Sequence, residues 1–124
     1  MNWTDMDVFR GVDLNDSFVL NWFLTQHLFV IEIEVSLWPK SKYYSAPIND
    51  EYTCYKKASI LFQKIKSIEG LIPVNTVTPT IDVDGSKDYG NIDSLVFNNA
   101  KFHVAGSFGN VVINGGEVTF SVST

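Results

Sequence analysis

Cysteine is almost absent from this chain of 124 residues, since Cys54 is the only one. One cysteine cannot form an intrachain disulfide, and it excludes a zinc site built from several thiolates. Arginine is equally scarce, with Arg10 alone. The 9 basic and 14 acidic residues give a net charge of −5. That balance argues against nucleic acid and against a membrane surface, because both are bound through Lys and Arg, and it favours a basic protein partner.

The chain also lacks the pattern of a secretory leader and of a membrane-spanning helix. Its first residues, MNWTDMDVFR, contain no basic stretch followed by an apolar one. The longest apolar stretch, SFVLNWFLTQHLFVIEIEV, is too polar to cross a bilayer because it carries Asn21, Gln26, His27, Glu32 and Glu34. We therefore expect a protein of the cytoplasm.

Alternation of apolar and polar side chains predicts β-strands in most of the chain. It is clearest in LFVIEIEVSLW, where a period of two over nine residues predicts a strand with one buried and one wet face. The preceding segment alternates as well, with Phe18, Leu20 and Trp22 on one side. We therefore expect an antiparallel pair of strands at 17–24 and 28–37.

A second hairpin is predicted near the end of the chain. Val111 and Ile113 precede the sequence NGGE, and Val118, Phe120 and Val122 follow it in alternation with polar residues. Asn-Gly and Gly-Gly supply the positive φ angles that a tight hairpin turn needs. The strands on the two sides of NGGE are therefore expected to pair with each other.

Residues 54–69 fit two structures. As a helix, they place apolar side chains on one stripe at spacings of three and four, with lysines on the wet side. As a strand, they alternate at Ala58, Ile60 and Phe62, and a bulge is needed before Ile65. Periodicity favours the helix, and the two alternatives stay open at this point.

The whole pattern predicts one domain over residues 1–124, mainly β, with six to eight strands in antiparallel, sandwich-like sheets. The alternative is an α+β domain in which one helix at about 54–69 packs on an antiparallel sheet. Apolar residues make up 45% of the chain and aromatic ones 14%, which is enough for a folded core.

An acidic stretch, TPTIDVDGSKDYGNID, resembles part of a calcium loop through the spacing of Asp82, Asp84 and Gly85. When Gly85 is aligned with the sixth position of an EF-hand loop, Thr80 and Asn91 fall where the first and last acids belong. Without those ligands, charge and coordination number are too low. We therefore predict no metal site and interpret the stretch as an acidic surface loop with an Asp-Gly turn.

No catalytic or cofactor-binding pattern is present. The two histidines, His27 and His103, have no spacing that links them to each other or to a carboxylate. Cys54 has lysines nearby but no signalled base or oxyanion site. Glu32 and Glu34 share one strand, whereas glycosidase carboxylates normally come from different elements. We therefore expect no enzyme and no cofactor.

A loop rich in aromatic residues follows the second strand, in WPKSKYYSAPINDE at 38–51. Trp38, Tyr43 and Tyr44 lie there beside Lys40 and Lys42. Exposed Trp and Tyr are favoured at interfaces because they offer large, rigid contact areas, and they also stack on sugars. The structural alternative is that these rings cover the open end of the sheet.

Four phrases resemble a diffuse group of small, uncharacterised bacterial β-rich domains, some associated with the immunity proteins that neutralise toxins. They are an acidic turn leading into a strand, a second strand, a third segment in strand conformation, and a glycine-containing close: GVDLNDSFVLNWFL, LFVIEIEVSL, ASILFQKIKSIEGL and FHVAGSFGNVVINGGEVTFSV. The resemblance implies a non-enzymatic binder in the bacterial cytoplasm whose acidic surface meets a basic toxin. It assigns no functional residue.

The leading functional hypothesis is therefore a protein-interaction module, in the manner of an immunity protein, that uses acidic and aromatic side chains. The alternative is a β domain that binds a small ligand or a carbohydrate. A homodimer is a further expectation, because an uncovered sheet edge can pair with a second copy. The side chains predicted to contact the partner are Trp38, Tyr43, Tyr44, Asp82, Asp84 and Asp88.

Overall fold

The computed structural model of the chain describes residues 1–46 and 54–123. In that part, the chain forms ten strands and three 3-10 turns. The strands are β1 (Val12–Thr25), β2 (Leu28–Leu37), β3 (Cys54–Gln63), β4 (Ser67–Glu69), β5 (Thr80–Ile81), β6 (Lys87–Asp88), β7 (Ser94–Asn98), β8 (Lys101–Gly106), β9 (Gly109–Asn114) and β10 (Glu117–Val122). The 3-10 turns are η1 (Trp3–Asp5), η2 (Asp7–Phe9) and η3 (Val74–Thr76).

Eight of these strands form two antiparallel sheets of four strands each. Sheet I has the order β1-β2-β3-β10, sheet II has the order β4-β9-β8-β7, and β5 and β6 form a separate small hairpin. The predicted mainly β, antiparallel, sandwich-like fold is confirmed, with more and shorter strands than the six to eight expected. The described residues hold no helix with the length and apolar character that crossing a bilayer demands.

Strand β2 follows the predicted alternation closely. One face is entirely buried and consists of Phe29, Ile31, Ile33, Val35 and Leu37. The other face is only partly wet, because Glu32 and Glu34 are half-buried and Val30 and Ser36 are buried. The predicted pairing with β1 is confirmed, from Thr25 opposite Leu28 to Val12 opposite Leu37.

Strand β1 departs from the predicted alternation because its register shifts. The pairing with β2 is irregular between Asp13 and Phe18 and again between Val19 and Asn21. Two inward residues, Val19 and Trp22, are therefore separated by three positions instead of two, as a bulge requires. Phe18, predicted to share a face with Trp22, is instead only half-buried.

Residues 54–69 are strands, and the helix alternative is wrong. They form β3 in sheet I and β4 in sheet II, separated by a break at Lys64, whose φ is +58°. The break lies directly before Ile65, where the strand interpretation requires a bulge. Helical spacing fails here because pairing with β2 along the whole of β3 supplies the backbone hydrogen bonds.

The predicted hairpin around NGGE is also wrong. β9 pairs with β8 and β4 in sheet II, whereas β10 pairs with β3 in sheet I. Gly115 and Gly116 do adopt positive φ angles of +76° and +84°, but the chain bends there without reversing. Residues 58–69 and 112–122 therefore form one long antiparallel ladder that bends from one sheet into the other. We call this pairing the bent ladder.

True hairpins connect β7, β8 and β9. The turn between β7 and β8 contains only Asn99 and Ala100, with φ of +52° and +62°. Positive φ at both central residues is the type I′ geometry, which matches the twist of paired strands. Because this turn contains no glycine, the sequence pattern does not predict it.

Aromatic rings fill the space between the two sheets. Trp22, Phe29 and Phe62 come from sheet I, and their partners across the interface are Phe102 and Phe108. Trp22 and Phe29 both contact Phe108 edge-to-face, at centroid distances of 5.9 and 6.3 Å, and Phe62 contacts Phe102 at 5.3 Å. Edge-to-face pairs at these distances are favourable beyond the area they bury.

The first eleven residues run along the side of the sandwich, between an edge of each sheet. Asn2 forms a β-bridge with Val96 of β7, and η2 contacts β10. Trp3 and Phe9 are buried, and the Phe9 ring lies 6.0 Å from Phe120 of β10. This segment therefore closes one open side of the core, and it forms part of the clefts described next.

Candidate functional site

The six side chains predicted to contact a partner lie on two surfaces. The first is the acidic hairpin, residues 80–88, which carries Asp82, Asp84 and Asp88. The second is the described part of the aromatic loop, residues 38–46, which carries Trp38, Tyr43 and Tyr44, whereas residues 47–51 of the predicted loop lie outside the described residues. The clefts beside the two surfaces share no lining residue. The structure thus separates the acidic from the aromatic candidates.

Backbone hydrogen bonds close the tip of the acidic hairpin. The Asp82 N–H donates to the Ser86 carbonyl, and the Gly85 N–H donates to the Asp82 carbonyl, both at 2.9 Å. Gly85 has a φ of +87°, and a Cβ there would meet nothing within 4 Å. Glycine is needed at this position for the backbone conformation and not for space.

Ser86 holds the carboxylates at the tip. Asp84 Oδ1 accepts hydrogen bonds from the Ser86 Oγ–H at 2.6 Å and from the Ser86 N–H at 2.9 Å. These bonds lower the pKa of Asp84, because they favour the charged form. A longer bond, 3.3 Å, links the same hydroxyl to Asp82 Oδ2. The exposed tip therefore presents negative charge in an ordered arrangement.

Asp88 differs from Asp82 and Asp84, because its carboxylate stabilises the backbone next to the hairpin. It is half-buried, and its Oδ1 accepts the Gly90 N–H at 2.7 Å. Asn91 is used in the same way, since its Nδ2 donates to the carbonyls of Ser17 at 2.7 Å and Asn15 at 3.1 Å. These bonds fix the return of the chain from the hairpin to the start of β1.

The calcium-like spacing folds differently from a calcium loop. Thr80, at the first ligand position of the alignment, pairs with Asp88 across the hairpin. Asn91, at the last position, is bonded to β1 as described. Across residues 1–46 and 54–123, no group of three or more His, Cys, Asp or Glu side chains could hold a metal ion.

Apolar side chains stand exposed on the acidic hairpin. Val83, between the two carboxylates of the tip, is fully exposed, and Ile81 is 59% exposed. Between the hairpin and the outer face of sheet I lies a cleft of about 900 Å³, lined by Phe18 and Leu20 among others. An ordered hairpin with an exposed valine framed by acids is suited to contact with another surface.

The aromatic loop is held against the start of β1. The Trp38 N–H donates to the Gly11 carbonyl at 2.8 Å, and the Ser41 N–H donates to the Trp38 carbonyl at 2.9 Å. Gly11 has a φ of +74°, and a Cβ there would lie 2.3 Å from the Ser41 nitrogen. Only glycine allows the loop to approach this closely.

The three rings of the loop differ in exposure. Trp38 is 45% exposed and lines a cleft of about 770 Å³ beside the first eleven residues. Tyr43 is half-buried, contacts Phe120 edge-to-face at 6.5 Å, and lines a neighbouring groove of about 460 Å³. Tyr44 is half-buried against the core. Trp38 and Tyr43 thus line different clefts, and the loop packs two tyrosines against the core while it leaves Trp38 exposed.

The remaining candidates from the sequence lie outside these clefts, apart from Glu34, which lines the cleft under the acidic hairpin. His103 is exposed on β8, and Cys54 is buried at the start of β3. His27 is exposed in the turn between β1 and β2, with its Nδ1 3.3 Å from the Ile65 carbonyl. Glu32 accepts a hydrogen bond from Asn21 on the neighbouring strand at 3.4 Å.

Sequence reasoning missed several residues of these surfaces. Alternation predicts that Phe18 and Leu20 share one face of β1 with Trp22, whereas the shifted register places them at the cleft under the acidic hairpin. Arg10 lines both clefts beside the aromatic loop. No local pattern connects Arg10 with that loop, because only the folded chain brings them together.

No protein-family model matches the chain. Neither the curated proteins nor the solved structures include a match. Function must therefore be inferred from the shape and charge of the two surfaces.

Proposed function

We propose that this chain is a non-enzymatic protein-interaction module of the bacterial cytoplasm that binds a basic partner, in the manner of an immunity protein with its toxin. The observation that carries the proposal is the fully exposed Val83 between Asp82 and Asp84 on a hydrogen-bonded hairpin. An apolar tip framed by ordered acids fits a pocket with a basic rim. The net charge of −5 adds long-range attraction toward such a partner.

The contact surface in this proposal is the acidic hairpin alone. The aromatic loop carries Lys40 and Lys42, and Arg10 lies beside it. Those cations would repel a basic partner, whereas three carboxylates outnumber the single Lys87 in the hairpin, so the loop does not belong to the same contact. Order in the hairpin also matters, because a preformed tip loses less conformational entropy on binding than a flexible one.

The proposal can be tested by placing a photo-crosslinking amino acid at Val83 and at the control position Thr76, which is also exposed. Crosslinking is carried out in a native bacterial lysate, with and without the substitutions Asp82→Lys and Asp84→Lys. We expect a basic protein to be captured from position 83 and not from position 76, and to be lost on charge reversal.

A matched variant controls for net charge. Glu69→Lys with Asp93→Lys changes the charge by the same amount at exposed positions outside the hairpin, and it should leave the crosslink intact. Co-expression of the captured protein should then harm cells unless the chain is present. Capture of an acidic protein, equal capture from position 76, or survival of the crosslink after reversal at the hairpin would refute the proposal.

A further inference from the structure

A positively charged groove lies beside the aromatic loop of this acidic protein. Among the residues that the structure describes, Arg10, Lys40 and Lys42 line it together with one acid, Asp7. These described lining residues therefore carry a net charge of +2 in a chain whose net charge is −5. The local field has the opposite sign to that of the molecule as a whole.

The three cations lack acidic partners within the described part of the chain. The exposed ion pair of this part, Lys64 with Glu117, lies elsewhere, and none of Arg10, Lys40 and Lys42 forms a salt bridge with a described residue. Like charges around one concave surface repel each other, and a low-dielectric wall strengthens their field. A bound anion would relieve that repulsion.

Part of the groove lining is apolar and consists of Tyr43, Phe120, Val8 and Val12. The Lys42 Nζ lies 5.1 Å from the centre of the Tyr43 ring, which anchors the cation next to an apolar side chain. The groove has a volume of about 460 Å³, which is within the usual size of small-molecule sites.

We infer that this groove binds a small organic oxyanion, a phosphate or carboxylate attached to a flat apolar body. The cations bind the oxyanion, with Arg10 able to offer two parallel N–H donors, and Tyr43 and Phe120 contact the body. The ligand is charged, which distinguishes this site from one for a neutral sugar. The site is independent of the acidic hairpin, so either proposal can fail without the other.

The test uses titration calorimetry of the full chain with four probes: phenyl phosphate, benzoate, inorganic phosphate and phenyl β-glucoside. Phenyl phosphate or benzoate, or both, should bind saturably and about tenfold or more tightly than the other two probes. The tighter of the two identifies the preferred anion, and equal affinities show that the groove accepts both phosphate and carboxylate. Binding should weaken as salt is raised. Absence of saturable binding of both aryl anions, or equal affinity for the glucoside or for inorganic phosphate, would overturn the inference.

Charge substitutions with opposite expected signs locate the site. Lys40→Gln and Lys42→Gln should each weaken binding by about fivefold to tenfold, whereas Asp7→Asn should tighten it by about threefold, since a water-exposed charge at about 4 Å contributes about 1 kcal/mol, which is about fivefold in affinity. Lys101→Gln, at an exposed position on β8, is the control and should have no effect. A general loss of stability would weaken binding, so tighter binding by Asp7→Asn would show a direct effect of the removed charge. Equal effects of Lys101→Gln and Lys42→Gln, or no change with Asp7→Asn, would place any binding outside the groove.

Discussion

Substitution of three glycines by alanine tests the bend that joins the two sheets. Gly85, Gly115 and Gly116 all have φ between +76° and +87°, so alanine is strained at each of them. They differ in what a Cβ would meet: nothing within 4 Å at Gly85, a Lys66 side-chain carbon at 3.0 Å at Gly115, and the Gln63 carbonyl oxygen at 2.4 Å at Gly116.

The expected costs follow from these surroundings. Left-handed backbone costs an alanine about 1–2 kcal/mol, which is the upper limit for Gly85→Ala because its hairpin can also open locally. Gly115→Ala should cost about the same, because the flexible Lys66 side chain can move. At Gly116 the clash is with the ladder backbone, which adds about 1–3 kcal/mol of strain and gives about 2–5 kcal/mol in total.

Urea unfolding followed by tryptophan fluorescence measures these differences, with the m-value as a check that the denatured state is unchanged. Gly116→Ala should be clearly more destabilising than Gly85→Ala and Gly115→Ala, which should cost similar amounts. If Gly116→Ala does not fold at all while the other two variants do, the expectation is also met. Equal free energies of unfolding for Gly116→Ala and Gly85→Ala would show that the two segments do not approach closely at the bend.

Three further substitutions test single contacts. Ser86→Ala should raise the pKa of Asp84 toward its ordinary value, and NMR titration of the carboxyl carbon measures this shift. Because the pKa is lowered in the folded state, the charged carboxylate stabilises the fold above the ordinary pKa. This contribution to the free energy of unfolding is lost as the pH falls through the lowered pKa. Trp22→Phe removes the Nε1–H bond to the Ile72 carbonyl at 2.7 Å and part of a buried ring, so it should cost about 2–3 kcal/mol in urea unfolding, and a cost near zero would contradict the bond. Asn91→Ala should cost about 1–2 kcal/mol, whereas Asn110→Ala, at another exposed position, should cost little.

The sequence predicted those parts of the fold that depend on local alternation. β2 has five inward side chains at a strict period of two, and the structure confirms that pattern because neighbouring strands pair along its whole length. β1 has the same composition, but the shift between Val19 and Asn21 reverses which side chains face inward. A bulge of this kind depends on pairing with the neighbouring strand, and local alternation does not reveal it.

Glycine gave the right backbone angles and the wrong topology. Gly115 and Gly116 have the positive φ values expected of a hairpin turn, yet β10 does not return along β9. β9 pairs with β4, and β10 pairs with β3, the strand that directly precedes β4. Conversely, Asn99 and Ala100 form a type I′ turn without glycine. Whether a glycine pair reverses or bends a strand depends on which partner is available, and that is a long-range property.

The candidate surfaces, too, are predictable only where the local sequence determines the structure. The exposure of Asp82 and Asp84 agrees with their composition-based interpretation as a surface loop. Asp88 looks similar in the sequence but is half-buried and bonded to Gly90. The charged groove depends on the fold placing Arg10 and Lys40 in one lining, which no local pattern could predict.

The bent ladder has a consequence for how this chain folds and unfolds. Glu69 and Val112, an innermost pair of the ladder, are separated by about 40 residues of chain, so the ladder can form only after a costly loop closure. The β1–β2 hairpin is local and can form before it. The same two segments contribute strands to both sheets. When one sheet opens, these segments are no longer held in position for pairing in the other sheet. The slowest-exchanging backbone amides of the two sheets should therefore exchange with solvent through one shared opening event.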